Sequence, residues 1–452
     1  MNDYNAPLEQ AKGQTKSSLS PSQAFCDECD RLEHLPLLLA GPILRRTESD
    51  AVTVWVALKA PREVTLKIYA TDAHGSTLTS LQLEGTGSTV PIGKYLHIVA
   101  VTAHPINSNR LEPGQIYAYD LSFGNHEPNL ALALTAQHTP HVTVSYFEHQ
   151  LPTFALPPDD LNDLRLAHGS CRKLHGGGSD ALPLLDDLIG HSAKQPNARI
   201  HQLFFTGDQI YGDDVPDPLL RVATQVGNTL LGWEENLPLS PIPSKGCQYK
   251  KPSELKPGQR TDIAREFGGF TAMLIDCPEK AKSHLFGLGE YIAIYLLTWS
   301  PILWPEYLPE GKEIHKDSKL AALWNKEVRH VKDCVNLLWK VRRAMANVPT
   351  YMIFDDHDIS DDWYLNRAWC NAVLGKPLGK RTVQNGLLAY ALFQAWGNTP
   401  DQFQEGQPGG NLLNVAVRWS ASAGTDELAY EEMAKLLGIP ELEADTGLPR
   451  FK

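Results

Sequence analysis

The hydrophobic rhythm of this chain changes once, at the Pro-rich stretch Leu151 to Pro158, and that change constrains the fold more than any other feature. Ahead of it the apolar residues recur every second position. Val52, Val54, Val56 and Leu58 fall on one face, and Val64, Leu66 and Ile68 repeat the period. A period of two is that of a half-buried strand. Leu111-Glu112-Pro113-Gly114 reads as a turn, with Tyr117, Tyr119, Leu121 and Phe123 alternating after it. Short strands and turns over roughly 100 residues predict a small β-sandwich, a structural or positioning module.

Beyond Pro158 short apolar runs alternate with helical segments, which predicts an α/β domain. Leu203-Phe204-Phe205 and Tyr351-Met352-Ile353-Phe354 read as buried strands. Between them lies a long insertion. Its residues 241–260 are basic and loop-like, 290–299 read as a buried helix, and 317–347 carry apolar residues at helical spacing. Helices are also predicted near 381–396 and 425–437, the last stopped by Gly438 and Pro440, with 400–452 otherwise loop-rich. The expected organisation is a flexible N-terminal extension over 1–40, the β-sandwich over 41–150 and the α/β domain over 160–452.

Composition narrows the function. With 42% apolar and 21% charged residues in 452, a large core is available without disulfides. A net charge of -12 argues against general nucleic-acid or anionic-membrane binding, although a metal site would reverse the local sign. Seven scattered cysteines, at 26, 29, 171, 247, 277, 334 and 370, fit a reducing compartment better than a disulfide framework. Cys26 and Cys29, with His34 nearby, lack the second pair that a structural zinc site needs. The polar start resembles no signal peptide, and no run approaches the ~18 apolar residues of a membrane span. These features predict a cytoplasmic protein.

Three polar motifs stand where apolar strands should end. The first, His168-Gly169-Ser170-Cys171-Arg172-Lys173, sets a thiol between glycine and two cations, which favours the thiolate and suits metal ligation. In the second, Gly207-Asp208-Gln209-Ile210-Tyr211-Gly212-Asp213-Asp214, a strand delivers Asp208 at its carboxyl end, where open α/β sheets place ligands. The third, Asp355-Asp356-His357-Asp358, runs on to Asp361 and Asp362. Carboxylates this dense repel one another unless cations offset the charge. Mixed His and Asp ligands suit Zn, Mn or Fe, and all-oxygen sets suit Ca or Mg. Together the motifs supply what a two-metal phosphoesterase needs, with a metal-activated hydroxide attacking a small phosphate ester. Arg172, His168 and His175 are candidates to steady charge or protonate the leaving group.

In this order the motifs resemble those of the alkaline phosphatase D-like (PhoD-like) metallophosphatases: Gly169-Ser170-Cys171, Gly207-Asp208-Gln209-Ile210-Tyr211 and Asp355-Asp356-His357-Asp358. The resemblance runs from about residue 40 to the end. It implies stacked sheets flanked by helices, preceded by a fibronectin- or immunoglobulin-like domain, and hydrolysis of phosphomonoesters or diesters. It also implies that Cys171, Asp208 and Tyr211 are metal ligands, Tyr211 as phenolate favouring trivalent iron. Asp356 and His357 would lie at the metals or the attacked phosphate, with Asp355 supporting them. The family is usually exported, which the N-terminus does not match. A Gly-Asp-Val-His-like motif expected after Trp363 is not found, so a truncated member, defective or dependent on a missing segment, is expected. The alternative of another class is a non-catalytic binding protein whose acidic loops bind Ca or face water.

Overall fold

The computed structural model describes residues 30–136, 143–240, 248–270, 280–361, 363, 366–443 and 449–450. Cys26, Cys29, Cys247, Cys277 and Asp362 lie outside the described residues. The chain is mixed α/β, and its first half is an antiparallel sheet. The strands are β1 (Leu38–Thr47), β2 (Val52–Leu58), β3 (Glu63–Thr71), β4 (Leu78–Ser88), β5 (Val90–Gly93), β6 (Leu96–Pro105), β7 (Ile116–Ser122) and β8 (Thr153–Ala155). Their hydrogen-bonded order is β1-β2-β6-β4-β3-β7-β8, with β5 on β6. β6 pairs β2 from Val52↔Ala103 to Leu58↔His97, but meets β4 only at Leu83↔Pro105 and Glu84↔His104. One continuous, curled path results where the alternation suggested two separate sheets.

Val54, Val56, Val64, Leu66, Val101 and Leu121 fill the inside of the curl. β2 is buried along both faces, because Trp55 and Ala57 point the other way into the larger core of the second half. Trp55 lies 5.2 Å from Phe393 between ring centroids and donates its indole N–H to the Leu392 carbonyl at 2.8 Å. Two expectations change here. The described part of the N-terminal extension is packed, with Leu32 and Leu35 in the core and Lys59 donating to the Leu32 and Glu33 carbonyls. The stretch read as a linker contributes β8, which pairs β7 from Ile116↔Ala155 to Ala118↔Thr153. Pro152 and Pro157 flank that strand and so cost it no ladder bond.

The second half is built on a parallel sheet of three strands, β9 (Leu166–Gly169), β10 (Gln202–Thr206) and β13 (Thr350–Ile353), in the order β13-β10-β9. Helix α1 (Leu182–Ser192) connects β9 to β10. The insertion between β10 and β13 carries α2 (Asp217–Leu231), the pair β11 (Leu237–Leu239) and β12 (Gln248–Lys250), then α3 (Leu288–Trp299), α4 (Ser318–Val335) and α5 (Leu338–Asn347). α2 and α3 approach closely, since a Cβ on Gly227 would stand 2.1 Å from the Gly289 carbonyl oxygen. Helices α6 (Pro377–Tyr390), α7 (Pro408–Ala421) and α8 (Glu427–Leu436) complete the element order. α7 lies in the stretch expected to be loop-rich. Leu412, Val415, Ala416 and Trp419 form its buried stripe, which an opening of Pro408, Gly409 and Gly410 conceals in the sequence.

The expectation of wholly buried strands holds for one face of the parallel sheet. Leu203, Phe205 and Met352 point into the core. On the other face Leu166 is 54% exposed and Ile353 53%, beside the half-buried, stacked rings of Phe204 and Tyr351.

Candidate metal centre

Each of the three motifs follows directly on a strand of the parallel sheet, so the topology brings them together at its carboxyl edge. Two residues there hold a left-handed backbone: Cys171 with φ 56° and Asp208 with φ 48°. Non-glycine residues seldom adopt that conformation, and it recurs at functional turns. The turns are tied to each other, for the Cys171 N–H donates to Gly207 O at 3.2 Å and the Arg172 N–H to Asp208 O at 3.0 Å. Gly207 itself has φ 122°, and a Cβ there would stand 2.4 Å from Cβ of Asp355. Only glycine lets the second and third motifs approach so closely.

Asp208 sits at the centre. The ligand atoms of Asp208, Asp356 and His357 lie within 4.8 Å of one another and could hold a metal ion. Asp208 also meets Cys171, whose thiol neighbours its carboxylate, and Tyr211, whose Oη is 3.4 Å from Oδ2. Asp208 is 3% exposed, and its Oδ1 has no hydrogen-bond partner among the described residues. A buried carboxylate oxygen left unpaired is costly unless a cation meets it.

The electrostatics point the same way. Burial lifts the Asp208 carboxyl above its ordinary value, against the pull of the Cys171 thiol and of His357. The Ser170 hydroxyl draws the Cys171 thiol down, but burial and the Asp208 carboxylate leave it raised. Burial and Asp208 also push the Tyr211 phenol far up. All three anions are thus disfavoured by their surroundings, and a bound cation would reverse each shift. The donor set of thiol, phenol, carboxylates and imidazole fits a transition metal.

The structure separates the remaining candidates. Asp355 is exposed, with its carboxylate accepting the Asp356 N–H at 3.0 Å and its Cβ facing Gly207. Arg172 is turned away from the cluster, held by Asp180 at 2.7 Å and by the Thr298 carbonyl at 2.8 Å. His168 lies on the open face of the sheet, 2.6 Å from the Thr206 hydroxyl. His175 bonds Asp214 at 3.1 Å, and the same carboxylate binds Lys173, whose ammonium is 5.3 Å from the centroid of the Tyr211 ring. Of these two cations it is Lys173, not Arg172, whose charged group lies against the ring of a predicted ligand.

Two carboxylates shape the centre in ways the motifs did not single out. Asp358 is 2% exposed and accepts the N–H groups of Asp208 at 2.8 Å and Asp355 at 2.9 Å, stapling two motifs together. Burial pushes its carboxyl up to about 7. Asp213 is fully buried and bonds Nδ1 of His357 at 2.9 Å. Burial alone would lower the imidazole, but that hydrogen bond and the Asp213 charge raise it to about 9. The signal for both was present in the sequence, as acids within one turn of the predicted ligands. It could not tell which acid turns inward.

No protein-family model matches the chain, and no curated protein matches it significantly. Among solved structures the chain is similar to one described as "Structure of PhoD", with 14% identity and a TM-score of 0.34. The match covers 81% of this chain and 46% of that one, so the chain spans about half its length. Overlap that partial leaves the side-chain geometry as the basis for a functional reading. Among the described residues no helix is long and apolar enough to cross a membrane.

Proposed function

We propose that this chain is a metal-dependent phosphoric ester hydrolase of the alkaline phosphatase or phosphodiesterase type, acting on a small phosphate ester. In this reading the antiparallel sheet, β8 included, is the fibronectin- or immunoglobulin-like module expected over 41–150, and residues 160–452 are a PhoD-like metallophosphatase domain. One observation carries it. Asp208, with a buried and unpaired Oδ1, converges with Asp356 and His357 at the carboxyl ends of adjacent parallel strands.

Asp208 is the shared ligand in this proposal, with Cys171 and Tyr211 on one side and Asp356 and His357 on the other. Iron, zinc, manganese or calcium would each find donors here. Bound metal supplies Lewis acidity and neutralises charge on the phosphoryl oxygens. The protein's own part is orientation. Asp358 fixes the backbone of Asp208 and Asp355, and Asp214 steadies Lys173 and His175 beside the cluster. Lys173 is the side chain placed to meet an anionic substrate, and Arg172 instead braces its own loop against Asp180.

The test is metal content by mass spectrometry on the purified chain, beside Asp208→Asn and His357→Ala, with mono- and diester hydrolysis assayed on the same samples. Bound metal and turnover in the wild type, both lost in the variants, are expected. A folded wild-type chain with neither would overturn the reading and leave a non-catalytic binding protein.

A further inference from the structure

The acidic cluster presents two sets of ligand-like atoms, and both use His357. One is Asp208, Asp356 and His357; the other is Asp213, His357 and Asp361. The state of the oxygens distinguishes them. Asp208 keeps a buried Oδ1 without a partner, as an ion ligand should. Asp213 has spent both of its oxygens, with Oδ1 and Oδ2 lying 3.1 and 2.9 Å from Nδ1 of His357 and Oδ2 also accepting the Asp361 N–H at 2.7 Å.

We infer that Asp213 is a positioning residue: its carboxylate accepts the Nδ1 proton of His357 and turns the other ring nitrogen, Nε2, to the side of Asp208 and Asp356. The backbone supports this. Gly212 donates its N–H to the His357 carbonyl at 2.7 Å, and a Cβ on Gly212 would stand 2.9 Å from Ile359 O and 3.0 Å from Asp358 O. The Asp213 loop is thus strapped to the His357 turn from both chain and side chain. A carboxylate behind a ligating imidazole fixes its tautomer and orientation and raises its basicity. The second set of atoms is therefore a support for the first, not a separate ion site. The effect on metal affinity rests on the hydrolase reading; the imidazole geometry does not.

Two measurements test it. Zn2+ titrated into the metal-free chain should bind about 10- to 100-fold more weakly to Asp213→Ala than to wild type, while Asp361→Ala stays close to wild type. Nitrogen NMR of histidine-labelled wild type without metal should show the Nδ1 of His357 protonated on both sides of its titration. A neutral ring carrying its proton on Nε2 overturns the inference even if Asp213→Ala does not fold. So does Zn2+ affinity that is unchanged in Asp213→Ala, and both results leave the hydrolase reading standing. A wild-type chain that binds no Zn2+ or other metal, yet keeps the Nδ1 proton, sinks the hydrolase reading and preserves the positioning role.

Discussion

The antiparallel and parallel sheets divide their tasks. β2 buries all seven of its residues, one face inside the curl of its own sheet and the other against Phe393 and Trp299. In β13 Met352 is buried while its neighbour Ile353 is 53% exposed, so among the described residues that sheet is covered on one face. Left-handed non-glycine residues occur in both halves, but those of the first half, Asn107, Ser108 and Gln150, all lie in loops between its strands. The left-handed residues Cys171 and Asp208 stand at the ends of β9 and β10, at a cost on the order of 1 kcal/mol each. Burial on both faces of β1 and β2 makes that part of the first sheet the anchor of the fold. The second gives up burial and backbone comfort where its strand ends gather carboxylates. A compact, well-packed region can offset such local strain.

The largest effect expected from this division is at the contact between the halves. Trp55→Ala would remove a fully buried indole, its hydrogen bond to Leu392 and its ring contacts with Trp299 and Phe393. A loss of about 3–5 kcal/mol in urea unfolding is expected. Phe204→Ala, on the half-buried face of β10, should cost about 1 kcal/mol, in line with an ordinary substitution. Equal costs would break the comparison. A smaller and pH-dependent effect is expected where the first motif is braced. Burial opposes ionisation of Asp180, but the adjacent Arg172 guanidinium outweighs it and holds the carboxyl below its ordinary 3.8. A depressed folded pKa means stability that is present above 3.8 and lost as pH falls through the folded value. Asp180→Asn should therefore cost roughly 2 kcal/mol near neutrality, and its melting temperature should converge on that of wild type in acid. A gap that persists or widens in acid would show that the ion pair contributes nothing.

Much of this was legible in sequence, because period and turn chemistry are local. β2, β3 and β7 follow from alternation, and α3, α6 and α8 from helical spacing and their stops. The three motifs at the ends of β9, β10 and β13 followed from apolar runs broken by glycine or acid. What escaped depends on contacts distant in sequence. Alternation marks Val54 and Val56 as inward but is silent on Trp55, which is buried by residues some 340 positions later. Thr153–Ala155 looked like a linker because its prolines obscure a strand completed only by β7. In the site, the order of acids told that charge gathers, not which oxygen is spent. Arg172 is drawn off by Asp180, only eight residues on, and by the Thr298 carbonyl. Asp213 is claimed by His357 across 144 positions.

The smallest predicted effect is also the sharpest probe of the open face. Ile353→Thr and Leu166→Ser change residues that are 53% and 54% exposed, pointing away from the core that holds Met352 and Phe205. Each should alter stability by no more than about 0.5 kcal/mol, as surface substitutions do. Met352→Thr, one residue away on the opposite face, should cost several-fold more, because it removes buried apolar volume and leaves a hydroxyl in an apolar site. The contrast within a single strand removes differences of backbone and sequence neighbourhood, since a one-residue step in β structure reverses the face. If Ile353→Thr instead costs about 2 kcal/mol or more, as for a buried isoleucine, the face is covered in solution and the asymmetry between the two sheets fails. A shift in hydrodynamic size on substitution would then show whether a second chain supplies the cover.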